Sequence, residues 1–285
     1  MPRPPAGRPS QVVGIIPPPG SRPQAVGLPS GPHNASRAAY GSPNQVVGII
    51  IPARNEAAAL GQVLAELPRG LVHEILVVDN GSTDETAALA RRSGAHVVSE
   101  PIPGYGRACL AGLAALDPSI EVVAFLDADH SDYPEDLLRL LEPIRTGQAD
   151  LVLGSRIAQA APGSLTPQQR FGNRLACALM QWCFGVRYTD LGPFRAIRRD
   201  ALERLGMADQ GFGWTVEMQA KAARRGLRIA EVPVRYRRRI GRSKISGTVS
   251  GTLRAGRAIV ATIVRIALQP APSECSRTCV DSSSL

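Results

Sequence analysis

Lysine, paired cysteine and long apolar runs are what this chain has least of. Only Lys221 and Lys244 are lysines among 33 basic residues, so the net charge of +9 rests almost wholly on arginine. Arginine together with abundant Ala, Gly and Pro can reflect a GC-rich genome. The basicity therefore carries little functional weight, and no DNA- or RNA-binding motif accompanies it, which sets nucleic acid aside. Cys109, Cys177, Cys183, Cys275 and Cys279 form no Cys-x-x-Cys pair, and no histidine lies near enough to complete a zinc site. Free thiols in a reducing compartment follow. No apolar stretch reaches the roughly 18–20 residues that a membrane-spanning helix needs, and the arginine-bearing N-terminus lacks the apolar core of a secretory signal. Acidic residues are missing from the whole of residues 1–44.

Those first 44 residues are rich in Pro, Gly and Ser and read as a disordered arm, although Gln11-Val12-Val13-Gly14-Ile15-Ile16 reappears as Gln45-Val46-Val47-Gly48-Ile49-Ile50. Residues 270–285 read as a second loose tail. Between them, apolar β-branched runs alternate with helical segments. Strands are expected at 46–51, 74–78, 95–98, 121–126 and 151–153. Helices are expected at 56–67, 84–92 (capped by Ser82 or Thr83), 105–116 and 134–144. Such alternation predicts an α/β domain with a parallel sheet, whose ligands bind beyond the carboxyl ends of the strands.

The polar motifs fall at those ends. The first strand runs into Pro52-Ala53-Arg54-Asn55-Glu56, the second into Asp79-Asn80-Gly81-Ser82-Thr83-Asp84, and the fourth into Asp127-Ala128-Asp129. One strand ending in aspartate usually makes a turn or a helix cap. Three polar loops on one edge make a site. Alternating carboxylates directly after Val122-Val123-Ala124-Phe125-Leu126 suit Mg²⁺ or Mn²⁺, which takes one or two carboxylates plus phosphate oxygens. His130 reads as a loop histidine in contact with solvent.

Together, Ile50-Ile51-Pro52-Ala53-Arg54-Asn55-Glu56, Val77-Val78-Asp79-Asn80-Gly81-Ser82-Thr83-Asp84 and Leu126-Asp127-Ala128-Asp129 resemble the signatures of family 2 glycosyltransferases of the GT-A fold. Within that family the chain looks most like polyprenyl-phosphate sugar synthases. Gly154-Ser155-Arg156, Thr189 to Ala196, Glu217 within Trp214-Thr215-Val216-Glu217-Met218, and Arg239 to Lys244 support this. The resemblance implies a Rossmann-like GT-A domain over 45–250, an amphipathic helix over 251–269 and a tail over 270–285. It implies an inverting, metal-dependent transfer of a hexose from a nucleotide-diphosphate sugar to a polyprenyl phosphate. A soluble or glycan hydroxyl acceptor is the alternative, and a non-catalytic nucleotide-sugar-binding protein a more distant one. Asp127 and Asp129 would hold the metal. Pro52, Arg54, Glu56, Asp79, Arg107, Asp127, Ser243 and Lys244 would contact the donor. Asp129, Asp190, Glu217 and Arg239 would serve catalysis, and Gly192, Phe194 and Arg195 the acceptor loop. Arg235 and Arg237 read as solvated charge. Two departures stand out: the relatives usually have a second aspartate where Asn80 stands, and their Ser-Gly-Phe-Arg is here Gly192-Pro193-Phe194-Arg195.

Residues 171–186 and 253–268 join apolar bodies to arginines. Periodicity alone favours amphipathic helices packed on the core. The resemblance to enzymes with a lipid-phosphate acceptor instead implies peripheral contact with a membrane, on its cytoplasmic face.

Overall fold

The computed structural model describes residues 14–15, 45–241 and 249–270. Eight strands form one sheet: β1 (Gly14–Ile15), β2 (Val47–Ala53), β3 (Glu74–Asp79), β4 (His96–Ser99), β5 (Val122–Phe125), β6 (Leu151–Ser155), β7 (Arg195–Arg198) and β8 (Ile229–Pro233). Their order is β1-β8-β6-β7-β5-β2-β3-β4. Among the described residues, eight α-helices accompany them: α1 (Ala57–Glu66), α2 (Thr86–Arg92), α3 (Tyr105–Ala115), α4 (Leu137–Arg145), α5 (Pro167–Phe184), α6 (Arg199–Leu205), α7 (Trp214–Arg224) and α8 (Val249–Leu268).

Strand residues alternate between two cores. Val47, Ile49 and Ile51 face a cluster built with Leu60, Val63 and Leu64 of α1 and Leu137, Leu140 and Leu141 of α4. Ile50, Val123 and Phe125 face the opposite cluster, with Ala108 and Cys109 of α3 and Trp214, Val216 and Met218 of α7. A strand covered on both faces reads as a continuous apolar run, which is why β2, β3 and β5 were legible as strands. α5 and α8 pack on α7 and on each other as an outer layer. α5 opens with a capping box: Gln169 N–H donates to Thr166 Oγ1 (3.2 Å) and Thr166 N–H to Gln169 Oε1 (2.9 Å). It closes on Gly185 at φ 71°.

The sheet is mainly parallel, as the resemblance implies, and β7 is its reversed strand: it runs antiparallel to both β5 and β6, pairing Phe125 with Arg195 and Val152 with Ala196. Its charged ends, Arg195 and Arg198, hid it. The residue that caps α2 is Glu85 rather than Ser82 or Thr83, and its side chain makes no capping bond; Asp84 Oδ1 accepts from Thr86 N–H at 3.0 Å. Within the arm expected to be disordered, Gly14–Ile15 pairs in parallel with Ala230 and Glu231 of β8. The remainder of that arm, and of the C-terminal tail beyond 270, lies outside the described residues.

β2 hydrogen-bonds β3 on one side and β5 on the other, so the chain leaves β2 in opposite directions along the sheet. At such a switch point the loops splay apart and leave a crevice. The Arg54, Asp79 and Asp127 loops all open onto that edge.

Phe125 and Trp214 meet edge to face, with ring centroids 6.0 Å apart, both fully buried. This contact ties α7 to the strand that ends in the carboxylate pair. Phe125→Ala should lower unfolding free energy by about 3–5 kcal/mol in chemical denaturation. A loss below about 1 kcal/mol would mean the site strand does not depend on that contact.

Candidate active site

Main-chain pairing to β2 and β7 holds β5 at the middle of the sheet, and Asp127-Ala128-Asp129 follows directly. Asp127 Oδ1 accepts from Tyr105 OH at 3.1 Å. Asp129 Oδ1 accepts from Ser131 N–H (3.0 Å), and its Oδ2 is paired with Arg239 Nη1 (3.0 Å). Burial and the neighbouring Asp129 charge push the Asp127 carboxyl up to about 6, against the opposing pull of Arg239. Asp132 is buried with neither carboxylate oxygen hydrogen-bonded, and burial together with Asp127 holds its proton well above the ordinary range. Arg156, at the end of β6, donates to Asp190 through Nε (2.7 Å) and Nη2 (2.7 Å) and lies over the Tyr236 ring at 5.0 Å. Among the described residues, Arg156 and Arg239 pair with this cluster of carboxylates, and the charge of Arg195 lies near Asp190.

A second set of contacts fixes the floor. After β8 the chain runs past the Asp129 loop, and every second residue from 235 to 239 is an arginine that meets a carboxylate. Arg235 pairs with Asp136 and Glu135, Arg237 with Glu66, and Arg239 with Asp129. Arg235 and Arg237 also lie over Tyr133, at 4.4 and 4.2 Å. They are therefore not the solvated charges expected. His130 is likewise buried rather than solvated: it adopts φ 61° and its Nε2 meets Glu66 Oε1 at 2.9 Å.

The other expected residues divide by location. Arg54 is exposed on the β2 loop and Pro52 half-buried. Glu56 N–H is held by Thr86 Oγ1 (2.8 Å), and Asp79 Oδ1 accepts from Ser82 N–H (3.2 Å). Arg107 lies in the first turn of α3, its N–H bonded to Gln210 O. Ser243 and Lys244 fall outside the described residues. Two carboxylates expected to be catalytic are occupied by protein. Glu217 accepts from the N–H groups of Ala208 (3.1 Å) and Asp209 (2.8 Å) and pairs with Lys221 Nζ (2.7 Å). Asp190 is taken by Arg156. In the acceptor loop, Phe194 and Arg195 are fully buried. Arg195 donates to the carbonyls of Gly192, Pro193 and Thr215, and burial brings its guanidinium down to about 10. It braces the loop from beneath, and Gly192 packs against Gly154 and Arg156.

Sequence reasoning passed over Tyr105, Asp132, Arg156 and Asn80 as site residues. Asn80 is the clearest of these. Its Nδ2 donates to Glu100 O (3.0 Å) and Ile102 O (2.7 Å), while its Oδ1 accepts from Gly104 N–H (2.8 Å). That brace sets the start of α3, and so Tyr105. From the other side the 209–211 loop approaches so closely that a Cβ on Gly106 would sit 2.0 Å from Asp209 O.

An Asp-x-Asp pair at the crevice of a mainly parallel sheet, faced by arginines, defines a glycosyltransferase of the GT-A fold. The chain belongs to glycosyl transferase family 2, whose model matches residues 48–206. It is 42% identical over 205 residues to an uncharacterized glycosyltransferase of Mycobacterium tuberculosis, covering 70% of this chain and 89% of that one. It is 37% identical to the undecaprenyl-phosphate mannosyltransferase of Micrococcus luteus (69% and 86% covered) and 35% identical to a dolichyl-phosphate hexose transferase of Haloferax volcanii (75% and 91% covered). Among solved structures, glucosyl-3-phosphoglycerate synthase of Mycobacterium tuberculosis, in complex with Mn²⁺, UDP-glucose and phosphoglyceric acid, superposes with a TM-score of 0.65 at 25% identity, covering 79% of this chain and 81% of that one.

Asn80→Asp tests the brace. An ionised carboxylate cannot donate to two carbonyls and would face their negative ends. The variant should lose about 1–3 kcal/mol of stability at pH 8, and less at pH 5, where a protonated carboxyl regains one donor. Equal stability of variant and parent at both pH values in urea denaturation would remove Asn80 from the site's framework.

Proposed function

We propose that the protein transfers a hexose, with inversion and with the help of a divalent metal ion, from a nucleotide-diphosphate sugar to a polyprenyl phosphate at a membrane surface. The observation that carries the acceptor class is the state of the carboxylates. A hydroxyl acceptor needs a general base, yet Glu217 and Asp190 are both committed to protein partners, and the oxygens of Asp132 are enclosed. A phosphate monoester is already ionised at neutral pH and needs only placement and charge compensation. The relatives whose names specify undecaprenyl and dolichyl phosphates support the same choice.

The residues present fit Mg²⁺ or Mn²⁺. Asp127 and Asp129 are hard oxygen donors of like charge at one strand end, and their mutual repulsion is what a cation relieves. Among the described residues no three His, Cys, Asp or Glu side chains converge into a closed cage. Diphosphate oxygens and water would complete the coordination. When bound, the ion would neutralise the departing diphosphate. The chain's own contribution is orientation: Tyr105 steadies Asp127, and Arg239 and Arg156 supply positive charge for phosphate oxygens. Single displacement on the face opposite the diphosphate inverts the anomeric carbon. Asp129→Asn should lower turnover by at least about a hundredfold, and excess EDTA should abolish it. Assaying a panel of nucleotide-sugars with Mn²⁺, against polyprenyl phosphate and against soluble hydroxyl acceptors, tests the whole reading. Efficient transfer to a soluble hydroxyl alone, or full activity in EDTA, would overturn it.

The acceptor's tail requires a lipid-facing surface. α5 presents Phe171, Leu175 and Trp182 to solvent, the last 84% exposed, and α8 presents Val260, Val264 and Leu268 at a four-residue spacing. Arg254, Arg257 and Arg265 are exposed along α8. An apolar stripe flanked by arginines suits an anionic interface. None of the described helices is long and apolar enough to cross a membrane. Sedimentation with anionic liposomes should fall as salt rises, and Trp182→Ser with Phe171→Ser should weaken it about tenfold or more. Unchanged sedimentation of the double variant would place the lipid contact elsewhere.

A further inference from the structure

We propose that Arg239 is a resident stand-in for the metal ion: in the ligand-free protein its guanidinium holds the Asp129 carboxylate, and the arriving metal–nucleotide complex moves it onto the diphosphate. The inference rests on the donor reading above and concerns how that same site is kept from binding metal alone.

Both oxygens of Asp129 are in use. Oδ1 accepts the Ser131 N–H and Oδ2 holds Arg239 Nη1, each at 3.0 Å, in a carboxylate that is 5% exposed. A divalent ion on Oδ2 would sit at about 2.0–2.6 Å, next to the Arg239 guanidinium, so two positive charges would compete for one carboxylate oxygen. The main chain on either side of Arg239 is fastened. Arg237 N–H donates to Ser131 O (2.8 Å), Ile240 N–H donates to Asp129 O (2.9 Å), and the Arg237 side chain is locked to Glu66. Only the Arg239 side chain is left to exchange partners, and at 29% exposed it has room on the cleft side.

The exchange favours one order of events. Metal alone would have to strip Arg239 of its paired carboxylate and leave a largely buried cation held mainly by Tyr236. Metal arriving with a diphosphate offers the guanidinium a second anion, with the geometry for two parallel hydrogen bonds. Metal and nucleotide should therefore bind synergistically, each raising the affinity of the other by the same factor.

The test measures Mn²⁺ binding to the ligand-free protein by electron paramagnetic resonance, with no turnover involved. Arg239→Ala should bind Mn²⁺ alone roughly tenfold more tightly than the parent, since one charge-assisted contact no longer has to be broken. The same variant should bind UDP or GDP in the presence of Mn²⁺ more weakly. Arg238→Ala removes the same charge one residue away, from a guanidinium that lies against Gly163, and should leave Mn²⁺ affinity within about twofold. Arg239→Gln, checked for folding by thermal denaturation, guards against a collapse peculiar to the alanine variant. Unchanged or weaker Mn²⁺ binding in both Arg239 variants overturns the proposal. An equal gain in Arg238→Ala also overturns it, because the effect would then be bulk charge. Failure of the parent protein to bind either Mn²⁺–nucleotide complex would instead overturn the donor reading itself.

Discussion

Like charge concentrated at the end of one strand is the constraint on which the rest of the structure depends. Asp127 and Asp129 are two residues apart after β5, with Asp132 enclosed nearby and Asp190 brought in from the loop before β7. Such a group is stable only if something balances it. The fold brings arginines from two distant segments, Arg156 after β6 and Arg239 after β8, and supports the second with a row of ion pairs inside the protein. Arg235 and Arg237 staple the β8 extension to Asp136 and Glu66, with Tyr133 between them. What looks like a basic run in sequence is therefore a ladder of ion pairs that ends at Asp129.

The donor half was legible because the physics there is local. β2, β3 and β5 are buried on both faces, so their apolar runs announce themselves, and the polar residues that follow mark the carboxyl edge. The candidate metal pair, Asp127 and Asp129, could be picked out from that edge. β7 and β8 were missed because short strands carrying Arg195, Arg198 and Glu231 have no such signature; their charges are satisfied by partners far away in sequence. Glu231, for example, accepts from Thr189 N–H and Thr189 Oγ1, 42 residues earlier. The same reason explains Glu217. A carboxylate near the start of a helix looks available until the fold lays the 208–209 backbone against it. Arg156 was visible as part of a motif, but its pairing with Asp190 depends on a 34-residue separation that no spacing rule encodes.

Asn80 shows how a departure from family pattern can carry physical meaning. Read against its relatives, it looks like a weakened ligand. In place, its amide bridges two carbonyls and an N–H group, a job that an ionised aspartate could not do. The residue's amide is fully employed in bracing the start of α3.

The reversed strand β7 has a consequence for how such a fold can diversify. Because β7 runs against its neighbours, its first residue lies where theirs end. The segment from α5 through Thr189–Phe194 therefore enters the cleft and returns to the sheet at one edge, without crossing to the other. The loops that would grip the nucleotide belong to separate parallel crossovers. Two halves of one cleft are thus wired into the chain independently. Residues 167–194 could vary between relatives as one insertion at that edge, provided that the Asp190 contact to Arg156 is kept.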